Sequence, residues 1–120
     1  MTRLLDNRPA AMGLVRAYIR GIRDYLAAMS PEGDAAAREQ VYALIARGTS
    51  IDLDTVRAMI PPYFNPNGLP NRESMMHCYG FFRDQGLIPQ PVPDSVMQTI
   101  WGTEPIEEVL AEIGRVPENY

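Results

Sequence analysis

His77 and Cys78 are the only neighbouring pair in this 120-residue chain with the chemistry of a base and a nucleophile. A Cys–His dyad needs thiol and imidazole to converge within hydrogen-bond reach. Consecutive helical residues point about 100° apart, so on a helix these two do not face each other. No second histidine exists to build a zinc site around them. The cysteine therefore reads as a small apolar side chain, and being alone it excludes an internal disulfide framework.

Other groups with chemical potential read in the same way. Asn65, Pro66, Asn67, Gly68 and Glu73 faintly resemble a calcium loop, but the early positions are neutral amides and one carboxylate does not satisfy a hard cation. They spell a turn followed by a capped helix. Arg16, Arg20 and Arg23 share a stripe that could hold an anion, and Glu104, Glu108 and Glu112 form an acidic row. Both fit solvated helix faces. Tyr63, Phe64, Phe81, Phe82 and Trp101 could line a ligand pocket, with core packing as their default role. Nucleotide-binding glycine loops, a Walker lysine, zinc spacings and hydrolase elbows are absent. The chain reads as a non-enzyme. It has no assigned catalytic, metal-ligating or cofactor-binding residues and no expected cofactor, and its ligand-binding residues stay open.

The elements that would position these groups are helices. Pro9 suits a first turn, and Met12, Val15, Ile19, Ile22, Leu26 and Met29 recur at intervals of three and four, ending at Ser30-Pro31-Glu32-Gly33. Gly13 and Gly21 weaken that helix and leave room for another backbone to come close. Asp34 caps a second helix with Ala37, Val41, Leu44 and Ile45 inward and Gly48 as its stop. Ser50 or Asp52 caps a third through Val56 and Ile60, ended by Pro61-Pro62. Asn71 caps a fourth, with Met75, Met76, Cys78, Tyr79 and Phe82 on its buried side. Gly86 supplies a left-handed stop there, and Leu87 folds back on the last turn. A prolyl segment over 88–93 is expected to be extended. A short helix over 94–101 follows, then a final helix capped by Thr103 with Ile106, Leu110 and Ile113 on one face. No segment reads as a strand. The expectation is one all-α domain or fragment over 1–120, with five or six helices.

Bulk composition narrows the class. Hydrophobic residues at 46% and charged residues at 22% are globular values. All 11 basic residues are arginine, a bias ascribed to coding, and the net charge of −4 argues against a nucleic-acid partner. The first 30 residues hold five arginines against Asp6 and Asp24, a local +3. Residues 91–120 hold Arg115 against six acids, a local −5, so the two ends could attract each other. No secretory h-region and no spanning run is present, which excludes direct membrane insertion and reads as cytoplasmic if translated as written.

The proline-led helix RPAAMGLVRAYIRGIRDYLAAM, the pair ending Ile60-Pro61-Pro62-Tyr63, and the turn Asn65-Pro66-Asn67-Gly68 come in order. They are followed by Asn71-Arg72-Glu73-Ser74 and Phe81-Phe82-Arg83-Asp84-Gln85-Gly86-Leu87-Ile88. Over residues 7–114 this order resembles the C-terminal helical portion of substrate-binding proteins of ABC importers. The class is the one serving nitrate, sulfonates, taurine and thiamine precursors. The resemblance implies a two-lobed α/β protein outside the cytoplasm, a small organic ligand and a membrane permease as partners, with ligand contacts supplied mostly by other parts of the protein. It transfers no ligand residue to this chain. The chain lacks an export signal, a first lobe and a strand before the first helix. The alternative reading is an autonomous helical module that forms homo-oligomers through the helix face carrying Met12 and Met29.

Overall fold

The structure, a computed structural model, describes residues 7–93, 95–97 and 102–118. These residues are all-α: α1 Arg8–Met29, α2 Ala35–Thr49, α3 Leu53–Ala58, α4 Arg72–Asp84 and α5 Glu104–Ile113, with no strand among them. Residues 95–97 are also helical. The remainder of the helix expected over 94–101, including Trp101, lies outside the described residues.

Side-chain caps set most of the starts. Asn7 accepts from the Ala10 amide, Asp34 from Ala37, Asp52 from Thr55 and Asn71 from Ser74, each satisfying a first-turn N–H that the helix leaves unpaired. Thr103 occupies the corresponding place before α5 but makes no side-chain cap bond. At the end of α4, Gly86 takes φ 71°. Its N–H bonds the Arg83 carbonyl and the Leu87 N–H bonds the Phe82 carbonyl, the paired pattern of a glycine-stopped helix. The Leu87 side chain remains two-thirds exposed, so the backbone closes without the expected apolar clasp.

Two helix ends differ from expectation. α2 runs through Gly48 to Thr49, and Ser50 takes the left-handed conformation at φ 60°. α3 stops at Ala58 and leaves Ile60 outside the helix, because the residue before Pro61 is pushed out of helical geometry.

The core lies where α1 meets α5. Ile19 and Val109 are fully buried and Leu110 nearly so, with Met12, Val15, Ile106 and Ile113 packed around them. The basic and acidic ends of the chain thus meet. Arg8 pairs with Glu108 and Arg16 with Glu112 across the two helices, while Arg115 closes on Glu107. The Arg16 hydrogen bond, then its charge, holds the Glu112 carboxyl below its ordinary range. A carboxyl lowered on folding contributes stability above its unfolded value and loses it as pH falls through the folded one. The Tm advantage of the natural chain over Arg16→Met, measured in low salt, should therefore be present at about pH 7, fade as the solution is acidified below the ordinary carboxyl range, and shrink in concentrated salt at neutral pH. An advantage that persists in acid would assign Arg16 to packing by its stem instead.

The turn at 65–70 is built into this core. Gly68 sits at φ 70°, and a Cβ there would lie 3.2 Å from both Ile19 and Tyr18, so space and backbone both require glycine. Asn67 is 1% exposed. Its amide oxygen accepts from the Val116 N–H at 3.0 Å and from Arg23 at 3.4 Å, and its amide nitrogen donates to the Val116 carbonyl and to Glu118, each at 3.0 Å. Arg23 also donates to the carbonyls of Pro66 and Gly114, at 3.1 and 2.7 Å. One buried amide and one guanidinium therefore join α1, the turn and the segment after α5.

α1 also packs on α2, and α2 on α3, but α4 packs on none of the other four helices. No residue of α4 is buried: Met75, Met76, Cys78 and Phe82 are exposed and Tyr79 is half-buried. This corrects the buried face expected there. Apolar spacing specifies a face, and only packing supplies its cover. Leu44 of α2, expected inward, is likewise exposed.

Candidate docking surface

The residues that first suggested chemistry do not converge. His77 and Cys78 lie exposed on α4, and among the described residues no group of three His, Cys, Asp or Glu could hold a metal ion. Asn67, read as a turn residue, instead bonds across the fold, which no local pattern signals. Two of the three arginines read as a solvated stripe have structural partners, Arg16 on Glu112 and Arg23 on the turn.

What the fold builds is an apolar groove of about 490 Å³ between α1, α2, α3 and the prolyl strap after α3. Ala17, Gly21 and Ile22 of α1 and Val56 of α3 are among the residues that line it. The periodicity that places Tyr18, Gly21, Tyr25 and Met29 on this side of α1 puts Met12, Val15 and Ile19 against α5. The face offered by sequence for self-association is thus already covered by α5 over its N-terminal half.

The strap is held in place. The Tyr25 hydroxyl donates to the Pro62 carbonyl at 2.8 Å, and the Tyr25 and Phe64 rings meet edge to face at 5.3 Å. Desolvation, with nearby Tyr42 adding to it, pushes the Tyr25 phenol up. Pro61 and Pro62 fix the backbone here. They leave Ile60 91% exposed at the groove rim beside half-exposed Met59. Among the described residues, no charged side chain lines the groove. Of the aromatic residues singled out in the sequence, Phe64 lines it and Tyr63 lines the adjoining depression. Phe81 and Phe82 pack on each other on α4, and Trp101 lies outside the described residues.

The amount of uncovered surface is quantifiable. A compact protein of 13.4 kDa exposes about 6,500 Å². This chain exposes 8996 Å², an excess of roughly 2,500 Å². Its radius of gyration is 17.5 Å, against about 13–14 Å for a compact domain of this length. Exposed apolar side chains contribute to it, among them Ile60, Met75, Met76, Phe81, Phe82 and Leu87.

No protein-family model, no curated protein and no solved structure matches the chain. Among the described residues, no helix is long and apolar enough to cross a membrane.

Proposed function

We propose that this chain serves small-molecule uptake as the C-terminal helical segment of a substrate-binding protein of an ABC importer, in the nitrate, sulfonate, taurine and thiamine-precursor class. In this reading it works outside the cytoplasm. It contributes scaffold to a two-lobed protein that hands a small organic ligand to a permease, and by itself it holds no complete ligand site and performs no catalysis. The carrying observation is the roughly 2,500 Å² of surface beyond what a compact protein of this mass exposes. Exposed apolar side chains are part of that surface, among them Ile60, Phe81 and Leu87, and a larger body would cover them. The order of helices, Pro61-Pro62, turn and glycine stop is what resembles that family.

The test is the natural gene product. With a tag at the C-terminus and expression from the native locus, the expected product is an exported polypeptide longer than the 13.4 kDa chain, with an α/β region preceding α1. That protein should gain Tm in a screen of sulfonates, pyrimidines and aromatic acids, whereas the 120-residue chain alone should not. A product of only 13.4 kDa, or a ligand that stabilises the short chain, would overturn the reading.

A further inference from the structure

We propose that Asn67 is a modification site, where the side-chain amide deamidates on the Gly68 nitrogen once the turn at 65–70 lets go of α1. The product bars the turn from closing again. The site belongs to this chain by itself and stands whether or not a larger body covers the rest of the surface.

The chemistry needs a side-chain amide followed by a backbone N–H that nothing crowds. The Gly68 nitrogen loses its proton and attacks Cγ of Asn67, closing a succinimide ring. The bond from Cγ to the amide nitrogen breaks, and ammonia leaves carrying the proton that Gly68 lost. Water then opens the ring at either carbonyl, giving aspartate or isoaspartate. Of the five asparagines, only Asn67 precedes glycine. Pro66 after Asn65 has no N–H, and Arg8, Arg72 and Tyr120 after the other three carry side chains beside the attacking nitrogen.

The fold holds both reactants. The Gly68 N–H donates to the Asn65 carbonyl at 2.8 Å, and Asn67 is 1% exposed with both ends of its amide bonded. Attack requires that backbone bond and the side-chain bonds to Val116, Glu118 and Arg23 to be released together. The reaction therefore proceeds from the opened turn, and its rate follows how often the turn opens. Closure afterwards fails for either product. Aspartate has no N–H for the Val116 carbonyl or for Glu118, and it sets two carboxylates against each other. Isoaspartate inserts a carbon into the backbone of a turn where even a Cβ on Gly68 would lie 3.2 Å from Ile19 and Tyr18. Each opening that reacts is thus a permanent one.

The experiment incubates the 120-residue chain at mildly alkaline pH, folded and in denaturing urea, and locates deamidation by peptide mass spectrometry. In urea Asn67 should react well ahead of Asn7, Asn65 and Asn71. Folding should slow it roughly tenfold or more. Arg23→Gln removes the charged donor to Pro66, Gly114 and Asn67 and should speed the folded reaction about tenfold. The natural chain in urea below its transition supplies a second reading, since local opening gives a rate that climbs less steeply than global unfolding. The deamidated fraction, separated by its added negative charge, should unfold at a lower urea midpoint.

Equal rates in the fold and in urea would overturn the proposal, as would Asn71 reacting as fast as Asn67 in urea. A folded rate untouched by Arg23→Gln, or one as steep in urea as global unfolding, overturns the turn as the gate. A deamidated chain with an unchanged midpoint overturns the barred closure.

Discussion

Replacing Asn67 by alanine is expected to lower stability by about 3 kcal/mol, since it removes a buried amide and strands several partly buried polar groups at once. The Val116 N–H and C=O lose their shared partner, and the Arg23 guanidinium loses its side-chain acceptor. Water cannot readily substitute, because the amide is 1% exposed. The turn would loosen from α1, and the segment after α5 would lose its hold on the turn. Asn67→Asp sharpens the test. It keeps the size and the acceptor but loses the two donated bonds, and it sets a second carboxylate against Glu118. It is expected to cost at least as much as alanine, whereas a merely space-filling role predicts tolerance. Urea unfolding monitored by circular dichroism reads both, as a fall in midpoint with an unchanged slope. A loss under about 1 kcal/mol for both variants would remove Asn67 from the set of residues that hold the fold.

Ile19→Ala is expected to cost about 2–5 kcal/mol. Ile19 is fully buried, packs with Val109 and Leu110, and lies under the Gly68 backbone. Truncation therefore opens a cavity shared by three elements that cannot all close in. With total stabilities of about 5–15 kcal/mol typical of whole domains, this single change should bring a core of this size close to unfolding at 37 °C. Leu44→Ala is the matched control. It removes a comparable aliphatic side chain from an exposed site on α2 and should change the urea midpoint little. Equal losses at the two positions would mean that the α1–α5 contact is not the centre of the fold.

These contrasts mark where the sequence was legible. Asp34 and Asn71 announce helix starts because a cap acts on amides two or three residues away, and both make that bond, as does Asp52 of the two residues offered for α3. The left-handed stop at Gly86 is local in the same sense. Burial is not local. The α4 spacing of Met75, Tyr79 and Phe82 describes an apolar face as clearly as that of Val15, Ile19 and Ile22, yet among the described residues the α1 face is covered and the α4 face stays exposed. Asn67 and Arg23 escaped for the same reason, since their partners lie 49 and 91 residues away at Val116 and Gly114. The groove was half legible. Gly21 signalled an open place on α1, but the strap that makes it concave depends on where Tyr25 and Phe64 meet in space.

The place of α4 also bears on how stability is shared within the fold. Among the described helices it packs on none, its Tyr79 hydroxyl accepts from the Val92 N–H at 2.9 Å, and a 13-residue helix is marginal on its own. The α1–α5 body, with its interlocked turn, opens only when Ile19 and Asn67 are released together. The amides of α4 should therefore exchange with solvent faster than those of α1 around Ile19.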